Sequence, residues 1–175
     1  MFVLVGGWPG AGKTTLATAL GGCLGLPVLA KDDVKEALAD ELGLPATVTE
    51  SRRLGRAAVL AVLRIAARCP GAVLDSTWFD YTRPLVAALP GPVVELRCVV
   101  PVEVARSRYY ARAAGRHAGH LDFERDEAEL WGEPVRPLGV GPLLEVDTTG
   151  PVDVAALADQ VRRAAELKGS CGRGR

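Results

Sequence analysis

The first residues able to do chemistry in this 175-residue chain are Gly7-Trp8-Pro9-Gly10-Ala11-Gly12-Lys13-Thr14, which fit G-x-x-x-x-G-K-[ST]. Glycines at these spacings let the backbone curl until successive N–H groups face one point, and a helix N-terminus behind them adds its dipole. The segment is therefore suited to holding phosphate oxygens. The expected contacts of a nucleoside triphosphate are Gly7, Pro9, Gly10, Ala11, Gly12, Lys13, Thr14 and Thr15. In that pattern Lys13 reaches the outer phosphates and the Thr14 hydroxyl joins a Mg²⁺ shell. A glycine-rich turn without a ligand is the plain alternative; a strand expected before the motif and a helix expected after it argue against that reading.

The acids decide what becomes of the phosphate. Asp75 closes the apolar run Ala72-Val73-Leu74-Asp75, where it is expected to bind Mg²⁺ through water. Ser76 follows it, not a Glu that could activate water, which argues against a motor-type ATPase. A GTPase would want D-x-x-G there and [NT]-K-x-D late in the chain. Asp75-Ser76-Thr77-Trp78 and the early Ala30-Lys31-Asp32-Asp33 supply neither. What remains is transfer of the γ-phosphoryl group of ATP or another NTP to an acceptor other than water. Asp33, with Glu36 three residues on, is expected to cap the next helix. That leaves Asp32 to orient and deprotonate an acceptor hydroxyl, the alternative being a second solvated cap.

Arg108, Arg112 and Arg116 recur every four residues, so a helix would stack three like charges, a spacing that a bound triphosphate would relieve; Arg106 lies nearby. A solvated basic face is the other explanation. Residues 115–121 have no period and read as a lid, within a region of about 108–122, in which His117 and His120 could touch substrate. Lys35, Trp78, Phe79, Tyr81 and Arg83 complete the expected acceptor side. Three aromatics within four positions stand out where aromatics are 5% of the chain, and they read either as a pocket wall or as a loop anchor. Arg83 is expected to pair with Asp75 or with a substrate anion. Arg52, Arg53 and Arg56 read as a solvated helix face, and residues 147–149 as the border of the adenine site.

These residues need a frame. Short apolar runs at 2–5, 27–30, 72–74, 93–100 and 143–146 read as strands. Segments at 13–24, 33–42, 49–69, 82–89, 102–114, 123–131 and 152–167 read as helices. Strands alternating with helices predict an α/β fold of three layers, with a five-stranded parallel sheet between helices and ligands at the carboxyl ends of the strands. The motifs fall at those ends. One domain is expected over 1–168 and a flexible tail over 169–175.

Composition narrows the classes. Hydrophobic residues are 49% and charged ones 24%, which excludes a disordered chain. Lys plus Arg and Asp plus Glu are both 21, so no global field draws in nucleic acid or anionic membrane. Cys23, Cys69, Cys98 and Cys171 form no metal-binding spacing and read as free thiols of a reducing cytoplasm. No apolar run approaches the roughly 20 residues of a membrane span.

Taken in order, the loop at 7–14, Lys31-Asp32-Asp33-Val34-Lys35, Asp75-Ser76-Thr77 and the stretch 101–112 make the chain resemble small P-loop kinases of the polynucleotide kinase, chloramphenicol phosphotransferase and zeta-toxin type. Glu145-Val146-Asp147-Thr148-Thr149 adds a likeness to the phosphotransferase. The resemblance implies a kinase-type P-loop NTPase fold and an ATP-dependent kinase activity. In it Asp32 would be the general base, Lys35 would stand where the polynucleotide kinases carry an acceptor-binding Arg, and Arg108 and Arg112 would be the lid arginines. It leaves the acceptor open. A hydroxyl of an antibiotic, nucleoside or other metabolite leads, with antibiotic resistance as one role. A polynucleotide or nucleotide 5′-kinase is weighed down by Lys35 in place of Arg and by the neutral charge. A regulatory or toxin-like nucleotide-binding module with little turnover is the third reading. A monomer or homodimer is expected.

Overall fold

The structure, a computed structural model, describes residues 1–133 and 135–171. Five strands, β1 (Phe2–Gly7), β2 (Val28–Ala30), β3 (Ala72–Asp75), β4 (Val93–Val99) and β5 (Leu143–Asp147), form one all-parallel sheet in the order β2-β3-β1-β4-β5. The helices are α1 (Lys13–Leu24), α2 (Lys31–Leu42), α3 (Val48–Ala66), α4 (Arg83–Ala87), α5 (Val102–Ala113), α6 (Glu127–Trp131) and α7 (Val154–Cys171). The α/β architecture expected from the alternating pattern is the one found.

The central strand shows why its residues form a strand. Phe2, Val3, Leu4 and Val5 are all buried, and their side chains alternate between two cores. Val3 and Val5 pack with Leu16 and Leu20 of α1 and Val161 of α7. Phe2 and Leu4 pack with Val59, Val62 and Leu63 of α3. Each such side chain contributes roughly 1.5–3 kcal/mol on leaving water. Covering both faces forces the sheet's ligand site to its edge, where β1 and β3 run side by side with Val5 beside Asp75 and Asp75 beside Ala30.

Local boundaries depart from expectation where side chains find other partners. Helix α2 begins at Lys31 with Ala30 at its N-cap and no side-chain cap, so Asp33 does not cap it and Glu36 closes no capping box. Asp32 and Asp33 instead sit in its first turn, where negative charge suits the helix dipole. Helix α3 starts at Val48, capped by Thr47, whose side chain accepts from Glu50 N at 3.2 Å. Helix α5 stops at Ala113, so Arg116 lies beyond it and the three-arginine helical face does not form. The stretch 123–131 divides, because Asp126 accepts from Ala128 N and Glu129 N and starts α6 there. Helix α7 runs past Leu167 to Cys171, and the remainder of the expected tail, 172–175, lies outside the described residues. Among the described residues no helix is long and apolar enough to cross a membrane.

Candidate active site

A cavity of about 690 Å³ opens over the carboxyl ends of β1, β2 and β3. Its phosphate end is backbone. Gly10 and Gly12 have φ of 77° and 82°, left-handed values that a side chain strains to adopt. A Cβ at Gly10 would also lie 2.2 Å from the Ala105 carbonyl oxygen, so α5 is seated directly on the loop. Thr148 after β5 donates to the Ala11 carbonyl at 2.7 Å and fixes the loop from the other side. Pro9, Gly10, Gly12, Lys13, Thr14 and Thr15 line the cavity, with Gly7 and Ala11 behind its wall.

Lys13 donates to the carbonyls of Gly7 (3.1 Å) and Trp8 (2.8 Å) and, among the described residues, has no carboxylate at hydrogen-bond distance. Burial lowers its pKa to about 8, with Asp75 and Asp32 opposing. Thr14 donates to Asp75 Oδ2 at 2.6 Å, joining the two expected Mg²⁺ residues. Burial pushes the Asp75 carboxyl up, against the Thr14 bond and Lys13. This hydroxyl–carboxylate pair at the loop's foot fits a hard cation whose remaining ligands are phosphate oxygens and water. Among the described residues no group of three or more His, Cys, Asp or Glu could hold a metal.

The opposite end is side chains. Asp32 projects from α2 with Arg116 Nη2 at 2.9 Å from Oδ2. Lys31 Nζ pairs with Oδ1, the oxygen turned away from solvent, at 2.5 Å. Burial alone would raise this carboxyl's pKa; Lys31, His120 and Arg116 outweigh it and hold it well below the usual carboxylate range. Arg116 is itself clamped by both oxygens of buried Asp122, which takes a further bond from the Tyr109 hydroxyl. His120 accepts from Arg116 through Nδ1 and meets Glu36 Oε1 at 2.7 Å through Nε2. Because Arg116 can only donate, neutral His120 carries its proton on Nε2 toward Glu36.

Several expected residues are placed elsewhere. Arg108 is turned away from the cavity and donates to the Thr148 and Thr149 carbonyls at 2.9 and 2.7 Å, so it grips the loop after β5. Arg112 does line the cavity, over the Tyr109 ring; burial lowers its pKa, with Arg116 adding to the effect. Trp78 is chiefly an anchor, 5% exposed and donating to the Val5 carbonyl, with one edge on the cavity. Phe79 lines the cavity. Tyr81 does not; it stacks on Phe79 under Arg56. Arg83 pairs with Asp80 at 3.0 Å rather than with Asp75, since Asp80 shares its own turn. Arg52 pairs with Glu129. His117 meets Asp40 and accepts from Gly119 N, closing a turn.

Sequence reasoning missed three residues around this site. Ser51 is fully buried and bonded to Lys35, Arg125 and the Gly119 carbonyl. Arg125 lines the cavity from the segment before α6. Trp131 packs tilted against Trp8 of the phosphate loop, with ring centroids 5.8 Å apart, and edges against Tyr109. A lone Ser in a helix and an Arg in an irregular segment carry no periodic signal, so only the fold could expose them.

Residues 2–130 match the family model described as AAA domain. A candidate kinase from Chloroflexus aurantiacus is 32% identical, with a TM-score of 0.81 over 93% of this chain and 97% of that one. A shikimate kinase from Acinetobacter baumannii, solved with shikimate, shares the fold at 22% identity and a TM-score of 0.58, covering 98% of this chain and 94% of that one. An uncharacterized protein of Mycobacterium tuberculosis is 38% identical over 128 residues, which cover 64% of this chain and 26% of the relative. The chain thus spans about a quarter of the length of that curated relative. With a glycine-framed phosphate loop on a five-stranded parallel sheet and a match over most of its length, the chain belongs to the AAA domain family and has the fold of the small P-loop kinases.

Proposed function

We propose that this protein is an ATP-dependent phosphotransferase that moves the γ-phosphoryl group to a hydroxyl of a small molecule, such as an antibiotic, a nucleoside or another metabolite. The observation that carries the reading is Asp32, a carboxylate that lines the same cavity as the phosphate loop. Lys31 at Oδ1 and Arg116 at Oδ2 fix its orientation, and an acceptor hydroxyl entering that cavity would donate to it.

In the reaction the acceptor oxygen forms a bond to the γ-phosphorus, the bond from that phosphorus to the bridging oxygen breaks, and ADP leaves. The hydroxyl proton passes to Asp32. A carboxylate held below its usual range takes that proton only late, once bonding to phosphorus has made the hydroxyl acidic, which suits the loose transition state of phosphoryl transfer. Lys13 and Arg112 hold the developing negative charge. Thr14 and Asp75 would hold Mg²⁺, which neutralises phosphate charge when bound.

The test is ATP consumption across a panel of hydroxyl compounds, with Asp32→Asn as the control. At least one compound is expected to drive turnover, and the substitution to cut it roughly 10²-fold or more with ATP affinity nearly unchanged. Equal rates in both proteins would remove Asp32 from the mechanism.

A further inference from the structure

Helix α2 meets the segment after α5 along one stripe. Asp32, Glu36 and Asp40 recur every four residues, so they share a face of the helix. Arg116 engages the first at 2.9 Å, His120 the second at 2.7 Å and His117 the third at 3.0 Å. The chain's 2 histidines are held alike. Each turns Nε2 to a carboxylate of α2 and accepts through Nδ1, His120 from Arg116 Nη2 and His117 from Gly119 N. Guanidinium and backbone N–H groups only donate, so the seam suits neutral rings that carry their proton on Nε2.

His120 is the histidine that reaches the acceptor end, and it is 4% exposed. Arg116 commits Nη1 to both oxygens of Asp122 and divides Nη2 between Asp32 Oδ2 at 2.9 Å and His120 Nδ1 at 3.1 Å. The imidazole thus steadies the same nitrogen that holds Asp32. A proton added at Nδ1 turns this acceptor into a donor and sets one cation against another, so the bond to Arg116 is lost. Around the ring stand Glu36, Asp32 and Lys35 of α2 and Arg116 of its own segment, with His117 edge-on. Arg125 and the neutral Ser51 of α3 bond to the His120 carbonyl. Burial, with Arg116 and Lys35 adding to it, outweighs Asp32 and Glu36 and lowers the His120 pKa from the usual 6.5.

Resting on the phosphotransferase reading above, we propose that neutral His120 is a positioning residue, which holds Arg116 on Asp32, and that its protonation frees Arg116 and slows phosphoryl transfer. In this role His120 acts through Arg116 and exchanges no proton with the reactants. Asp32 is itself held well below the usual carboxylate range, so protonation of the base does not account for a loss of rate just below pH 6.5. A loss there belongs to the imidazole, which is charged below its own pKa and neutral above it.

The first arm of the test does not depend on turnover. Nitrogen NMR of the full chain reads the tautomer and the titration of both imidazoles, with His120→Asn assigning the signals. His120 is expected to carry its proton on Nε2 and to titrate below 6.5. Its midpoint should move up in Arg116→Gln, which removes a neighbouring cation, and down in Glu36→Gln, which removes an anion. A proton on Nδ1, a midpoint at or above the usual value, or no upward move in Arg116→Gln overturns the inference. The second arm follows kcat from about pH 5 to about pH 8 with a compound that the ATP-consumption panel identifies. The rate is expected to fall roughly tenfold on the acid side, at the midpoint NMR gives, with the KM for ATP steady. His120→Leu, which offers Arg116 no acceptor, should be slow across the range. His120→Asn keeps an acceptor and cannot titrate, so it should be faster than His120→Leu and lack the acid limb. Glu36→Gln should move that limb to lower pH. An acid limb unchanged in His120→Asn sinks this inference and leaves phosphoryl transfer standing. Absence of turnover with every compound sinks the phosphotransferase reading and this one with it.

Discussion

The two ends of the cavity hold their ligands' charge by opposite means. At the phosphate end, eight consecutive residues wrap one point, and the positive field comes largely from backbone amides and one lysine. At the acceptor end, the field comes from side chains of α2, α3 and the irregular segment 116–125, each held by another side chain. A backbone cradle tolerates changes of its side chains as long as its glycines remain. A side-chain network fails piecewise, because each removed member strands a partner.

The largest effect that sharpens this contrast is expected from Lys13→Met. Turnover should fall roughly 10³-fold, as loss of a charge on the moving phosphoryl group does. Because the empty protein already holds Lys13 buried and below its usual pKa, its thermal stability should change by no more than about 1 kcal/mol. Coupled-assay kinetics and thermal unfolding check the two halves separately. Gly10→Ala should do the reverse: a Cβ driven toward the Ala105 carbonyl at positive φ is expected to destabilise by roughly 3 kcal/mol and to weaken ATP binding with it, read by chemical denaturation.

At the other end, Ser51→Ala removes the shared acceptor of Lys35 and Arg125. It should raise the KM for the acceptor about tenfold and leave that for ATP unchanged, at a cost of about 1–3 kcal/mol in stability. A matching rise in the KM for ATP would show that the two ends are not independent.

The smallest expected effect is a proton. Free Lys13 with a pKa of about 8 is half protonated at pH 8, and bound phosphates favour its charged form. ATP binding at pH 8 should then take up about half a proton, and affinity should fall as pH rises through 8 toward 10. Calorimetry in two buffers of different ionisation heat reads the uptake; proton release would contradict it.

Legibility in the sequence follows the same division. The strands and most helices were readable because burial on both faces leaves continuous apolar runs, as in Phe2 to Val5, and helix ends leave glycines, as at Gly25. The nucleotide loop was readable because its geometry is local. The cap assigned to Asp33 failed because the helix began two residues earlier, at Lys31. The arginine row failed because α5 ended before Arg116, freeing that side chain to reach Asp32. Arg83 chose the carboxylate in its own turn over the one across the site.

The order of residues alone therefore determined an α/β sheet, a phosphate cradle at its first strand, and an aspartate after its second, since each follows from contacts among neighbours along the chain. Which cations face that aspartate, which arginine leaves the cavity for the loop after β5, and that a buried serine binds two positive charges together were decided only when distant segments packed. Such contacts join positions up to 84 residues apart, as between Asp32 and Arg116, and no local spacing encodes them.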